Sequence, residues 1–302
     1  MSHAVPAAEL PQRRQMAAGM RLSARQFLRN PAAVAGLVVL VLICLAAMFA
    51  PWIAPRDPVR ISLATKLRPP GPEFWLGTDF FGRDVLSRLI HGARVSLSVG
   101  ILVISFSTIV GVPLGLFAGM VGGRLDNILM RLMDALLTFP PLLLGVAIVG
   151  LLGPDLRNVT LGLGIVQVPV LVRLVRASAL AAREDTYVMA ARALGASNLR
   201  IAMRHVLRNI MSPIVVQLTI GFSAAIIAEA SLSFLGLGTQ PPQPSWGRDL
   251  AEARRYMADA PWLFLAPTGA IMLSVLAVNF VGDGLRDALD PRSWRSRRKE
   301  KA

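Results

Sequence analysis

The sequence predicts an all-α integral membrane protein with six transmembrane helices and one polar helical hairpin between the fourth and the fifth. Three observations carry that expectation. The 302 residues are 54% hydrophobic with a mean hydropathy of +0.56, too apolar for an ordinary water-soluble domain. The net charge of +14 is almost all arginine and falls in clusters that flank the apolar runs. A basic balance of that size also suits nucleic acid, but the clustering places the charge at lipid headgroups instead. Finally, residues 184–213 read EDTYVMAARALGASNLRIAMRHVLRNIMSP, a basic helix-forming insert between two apolar runs.

In chain order, residues 1–31 form a polar N-terminal segment with Arg13, Arg14, Arg21, Arg25 and Arg29 against the single acid Glu9, read as cytoplasmic. Residues 32–53 are the first transmembrane helix, matching the roughly 20 apolar residues a bilayer requires. A cleaved signal peptide competes, but the run is long and the polar stretch before it exceeds a usual n-region. Residues 54–94 form an external loop, crowded with proline as far as Pro72. In its second half Asp79 is placed to cap a helix. Val85, Leu86, Leu89 and Ile90 of that helix oppose Arg83, Ser87 and Arg88, a pattern expected to lie in the membrane interface.

The core, residues 95–285, holds five further spans. The second, 95–120, is interrupted by Gly111, Pro113, Gly115 and Gly119, and the third, 129–152, contains Pro140 and Pro141. The fourth, 160–175, carries small residues that permit close helix packing where lipid supplies no hydrophobic drive. The fifth, 214–235, contains Glu229. An ionisable group within a span is functional or paired, and here the preferred reading is that it lies near the outer end and meets water or an arginine. Residues 236–261 form an external loop with a polar helix, 262–281 the sixth span, and 286–302 a basic cytoplasmic tail. With both termini inside, 21 Lys and Arg lie on the cytoplasmic side against 11 outside, as the positive-inside rule requires. The first external loop runs against it, with seven basic residues.

Little catalytic chemistry is legible. His3, His91 and His205 show no ligand spacing, and the one cysteine, Cys44, lies inside an apolar run, so no metal, triad or disulfide framework is expected. None of Lys66, Lys299 and Lys301 follows a glycine-rich turn, so no phosphate-binding loop exists and the chain is not expected to hydrolyse ATP. No cofactor is expected on it.

The hairpin is the informative stretch. Tyr187 to Leu194 reads as a short alanine-rich helix, Gly195 as its left-handed terminator, and Ser197 as the cap of a second helix. Alanines without bulk let another protein approach the backbone, although a solvated connection between two spans explains the same residues. The pattern Ala190-Ala191, three residues, Gly195, then a basic helix from Asn198 resembles the cytoplasmic EAA loop of ABC-transporter permeases. Met189 stands where that family usually has glutamate, and Arg208 where proline is common. The blocks LGTDFFGRDVLSRLIHGARVSLSVG, SLSFLGLGTQPPQPSWG and VNFVGDGLRDALDP resemble the C-type subunit of the dipeptide and oligopeptide branch, over about residues 25–292.

The resemblance implies the type I ABC importer permease fold with a cytoplasmic coupling helix, in a bacterial inner membrane. It implies a heterodimer with a B-type permease, two cytoplasmic ATPase subunits that use ATP and Mg, and an external solute-binding protein. Carried onto this sequence, ATPase coupling falls on Tyr187, Ala190, Ala191, Leu194, Gly195 and Ser197. Glu229, Gly236, Gly238 and Trp246 are the candidates for the pore or the periplasmic face. Peptide is the substrate class implied, with glutathione or a nickel complex as alternatives. An ion-coupled secondary transporter is the alternative of another class, disfavoured because Glu229 is the single clear intramembrane acid and no inverted repeat is visible.

Overall fold

A computed structural model describes residues 26–289; the arginines of residues 1–25 and the basic residues beyond 289 lie outside the described residues. No strand occurs among the described residues, whose only bridge is Thr78 with Asp84. Among the described residues five helices are long and apolar enough to cross a bilayer: α1 (Pro31–Met48), α2 (Val85–Val121), α5 (Leu156–Arg183), α8 (Met211–Phe234) and α10 (Trp262–Leu289). Between α2 and α5 lie α3 (Gly123–Leu137) and α4 (Pro141–Leu152), which together make a sixth span bent by 90°. The hairpin consists of α6 (Thr186–Ala193) and the composite α7 (198–209), and α9 (Trp246–Ala253) is a short helix between α8 and α10.

Several of these helices start where a side chain satisfies orphaned N–H groups. Asn30 accepts from the N–H of Ala32 and Ala33 ahead of α1, with Pro31 at the first position. Asp84 caps α2, accepting from the Ser87 N–H at 2.8 Å, so the cap expected at Asp79 lies five residues further on. Asp155 caps α5 and Ser245 caps α9. Gly122 and Gly123, at φ +67° and +72°, turn the chain from α2 into α3 with no crowding at Gly123.

The second and third spans differ from expectation in opposite ways. The glycines and Pro113 do not interrupt α2, which runs unbroken for 37 residues. Gly111, Gly115 and Gly119 recur every four residues, so they share one face of the helix. A Cβ on each would come within 3.2 Å of Leu171, 2.6 Å of Val175 and 2.7 Å of Ala179 on α5, a partner stripe of the same spacing. The third span does break. Two consecutive prolines remove two N–H donors and disfavour helix at the residue before them, so α3 ends at Leu137 and α4 restarts with Pro141 in its first turn.

Around this α2–α5 pair the remaining spans are laid. α8 packs on α2, α5 and α10, and α1 packs on α10 and α2 at the periphery. Gly36 meets the backbone of Ala277, and Gly284 meets Ala33, so α1 and α10 also approach through glycine. α3 crosses α5 with Asp126 accepting from both Nε and Nη2 of Arg176, while Asp134 pairs with Arg173. Leu37, Val38, Val41, Leu42 and Leu45 of α1 remain exposed, as a lipid-facing helix requires.

The glycine stripe gives a direct test. Gly115→Leu is expected to destabilise the protein by about 1–3 kcal/mol through overpacking against Val175. Ile109→Leu, on the exposed side of the same helix, is expected to be neutral; thermal melting in detergent compares them.

Candidate functional site

The hairpin hangs from the ends of α5 and α8. α6 is closed by a Schellman arrangement: the Gly195 N–H donates to the Arg192 carbonyl at 2.9 Å, and the Ala196 N–H to the Ala191 carbonyl at 3.0 Å. That geometry needs Gly195 at φ +79°, where a side chain is strained. No atom lies within 4 Å of where its Cβ would be, so the turn is open. Ser197 then caps α7, accepting from the Arg200 N–H at 3.4 Å. Across the hairpin, Asn209 Nδ2 donates to the Tyr187 hydroxyl at 2.8 Å and ties its two legs together.

α7 is not a uniform α-helix: Asn198–Arg200 and Leu207–Asn209 flank a π-helical stretch, Ile201–Val206. The wider turn brings residues five apart towards one face, which is why Ile201 and Val206 are both fully buried. With Val188 of α6 they join Val112 and Leu116 of α2, Leu171, Val175 and Ala179 of α5, and Ile214 of α8 in one apolar cluster. The exposed surface of the hairpin mixes apolar side chains with Arg192, Arg200 and Arg204. Leu194 is 88% exposed and Leu199 74%, with Met189 and Met203 also exposed.

Of the six residues singled out on the sequence, Ala190, Leu194, Gly195 and Ser197 are exposed, and Tyr187 and Ala191 half-buried. The exposed trio Met189, Leu199 and Met203 was missed as a surface. At an α-helical period Leu199, Met203 and Val206 would share one face with Ile201 opposite; the π turn instead brings Val206 round to the side of Ile201.

The opposite end of the molecule carries a dense ionic cluster. Arg83 Nε donates to Asp79 Oδ2 at 2.5 Å and Arg83 Nη2 to Glu252 Oε2 at 2.5 Å. Arg88 pairs with Asp249, and Arg248 Nε donates to Glu252 Oε1 at 3.1 Å. The expected interfacial helix is thus the first turns of α2 itself. Arg83, Ser87 and Arg88 face inward, because acids from α9 neutralise the arginines there. Burial pushes the Asp249 carboxyl up against the opposing pull of Arg88. At Glu252 burial also pushes up, but Arg83 and Arg88 outweigh it and hold the carboxyl below the ordinary glutamate value.

Glu229 sits just beneath this cluster with 0% exposure. Its Oε1 accepts from Ser233 at 2.7 Å and its Oε2 from Ser96 of α2 at 3.1 Å. The expected contact with water or an arginine is therefore replaced by hydroxyl donors from two spans. Trp246 is likewise buried and donates from Nε1 to the Leu89 carbonyl at 3.0 Å. Gly238 lies against Ser233, whose Oγ would be 1.8 Å from an added Cβ, while Gly236 is open at φ +83°. Glu229, Trp246 and Gly238 thus meet around the α8–α9 junction, and Gly236 borders a cavity beside it.

Residues 111–295 match the family described as binding-protein-dependent transport system inner membrane component. Residues 20–70 match the N-terminal TM domain of oligopeptide transport permease C. A dipeptide transport system permease protein of Alkalihalophilus pseudofirmus is 44% identical over 268 residues, covering 89% of this chain and 88% of that protein. A di/tripeptide transport system permease protein of Pseudomonas aeruginosa is 48% identical, covering 89% and 90%. A glutathione transport system permease protein of Pectobacterium atrosepticum is 44% identical, covering 89% of each. Among solved structures, the MetNI methionine ABC transporter in an inward-facing conformation shares the fold, with a TM-score of 0.55 at 19% identity over 67% of this chain and 96% of that one.

The ionic cluster is testable by itself. Arg88→Met leaves Asp249 buried without its cation and is expected to cost about 3–5 kcal/mol. Adding Asp249→Leu should recover most of that loss, read as the melting temperature in detergent. Unchanged melting of the single variant would show that the pair does not hold α9 in place.

Proposed function

The chain belongs to the family of binding-protein-dependent transport system inner membrane components, and on that premise we propose that it is one of two pore-forming permeases in an ATP-driven importer of dipeptides or oligopeptides. As a multi-pass permease of this family it is not an ion-coupled secondary transporter. The observation that carries the finer reading is the hairpin: its inner face is keyed into the span helices while Leu194 and Leu199 stand exposed at the turn.

In this reading two separate cytoplasmic ATPase subunits hydrolyse ATP, and a groove on one of them receives Tyr187, Ala190, Ala191, Leu194, Gly195 and Ser197. Leu199 and Met203 add apolar area to the same contact. A B-type permease completes the pore, and an external solute-binding protein delivers the substrate. ATPase closure displaces the hairpin. Because Val188, Ile201 and Val206 share a cluster with α2, α5 and α8, the displacement passes to those helices as bodies rather than being absorbed at a loose joint.

Placing the hairpin in the cytoplasm puts both termini inside and the ionic cluster outside. Part of the positive charge of the first external loop, which runs against the orientation rule, is then neutralised in place. Arg83 and Arg88 are buried against Asp79, Asp249 and Glu252, and Arg68 pairs with Glu73 at 2.9 Å. The substrate class comes from the peptide permeases the chain is similar to. Glutathione is a second reading, supported by the relative in Pectobacterium atrosepticum.

Uptake of a labelled dipeptide by cells with and without the chain tests the proposal. Loss of uptake on deletion and its return on complementation is the expected result. Gly195→Trp should abolish uptake with normal membrane insertion, because bulk at an otherwise open turn blocks docking. Normal uptake by that variant would contradict the hairpin's assignment.

A further inference from the structure

Resting on the reading as a peptide-importer permease, we propose that the external cavity between α2, α8 and α9 is a substrate subsite that holds the C-terminal carboxylate and an apolar side chain of a peptide. The cavity has a volume of about 410 Å³, within the roughly 300–1,000 Å³ usual for small-ligand sites. Its wall is aromatic: Phe80 stacks on Tyr256 with centroids 4.7 Å apart, and Phe234 and Phe81 line it as well.

The charges decide which end of a peptide fits. Three carboxylates, Asp79, Asp249 and Glu252, border the cavity, and each is already paired with an arginine. Arg83, Arg88 and Arg248 provide those pairs, so the floor is neutral and offers an incoming ammonium group no free carboxylate. Arg254 and Arg255 remain at the rim, exposed and without an acidic partner among the described residues. The Arg254 guanidinium lies 5.5 Å from the Phe234 ring, so a cation stands directly beside the apolar wall. Two arginines on the rim of an aromatic-walled cavity suit a carboxylate attached to an apolar side chain. The concave shape favours a small ligand over the flat surface of a docking protein.

The test uses the full chain in phosphatidylcholine nanodiscs, which present no anionic lipid, with alanyl-phenylalanine as the probe. Its free acid, its C-terminal amide and its N-acetyl derivative are titrated by equilibrium dialysis. The acid should bind saturably, the amide roughly tenfold or more weaker, and the N-acetyl form about as well as the acid. R254Q/R255Q should reduce the acid to the level of the amide, with melting unchanged because both side chains are exposed. Absence of saturable binding, equal binding of acid and amide, or an unaffected double variant overturns the subsite. Loss of uptake in cells with R254Q/R255Q, without any peptide binding by the chain, would point to a protein contact and also overturns it. Uptake on deletion judges the importer reading separately from the acid-to-amide ratio, so the two failures are distinguishable.

Discussion

Gly111, Gly115 and Gly119 let the backbone of α2 lie against Leu171, Val175 and Ala179 of α5, and the rest of the molecule is built out from that contact. Lipid gives no hydrophobic reward for helix association, so the approach must be close enough for van der Waals packing to hold it. The same two helices carry the apolar cluster that receives the hairpin at one end, and α2 carries the arginines that receive α9 at the other. α8 runs beside both and bonds to α2 through Glu229 and Ser96. One glycine-lined interface therefore sets the relation between the hairpin and the ionic cluster.

The two ends use different physics. At the hairpin, attachment is apolar, and around the π turn of α7 Ile201 and Val206 are buried while Leu199 and Met203 are exposed. Such an element can transmit a push because its buried face has no slack. At the far end, attachment is ionic and buried. Arg83 bridges Asp79 to Glu252 and Arg88 pairs with Asp249, so buried ion pairs tie α9 to the start of α2. Tight packing of Gly247 against Ala230 and of Gly238 against Ser233 completes that junction.

Much of this was legible in the sequence, for identifiable reasons. Apolar runs of spanning length marked the helices, and the hairpin's terminator and cap were readable because Gly195 and Ser197 each have one dominant local use. What was not legible depended on partners distant in sequence. The glycines of α2 looked like interruptions because a packing stripe and a break differ only in what lies opposite. Arg83 and Arg88 looked interfacial because Asp249 and Glu252 lie more than 160 residues away. Glu229 looked like an outward group because its hydroxyl partner Ser96 is on another span. The split of α7 into a buried and an exposed apolar face followed from a π turn that no residue of that stretch announces.

The central claim is that the hairpin is rigidly keyed to the span helices, so that ATPase motion becomes pore motion. The most direct measurement is the ratio of peptide imported to ATP hydrolysed by the reconstituted complex carrying Ile201→Ala. A cavity at that fully buried position loosens the joint without touching the exposed docking face. The account predicts that hydrolysis persists while import falls several-fold. An unchanged ratio, with import and hydrolysis retained or lost together, would contradict it.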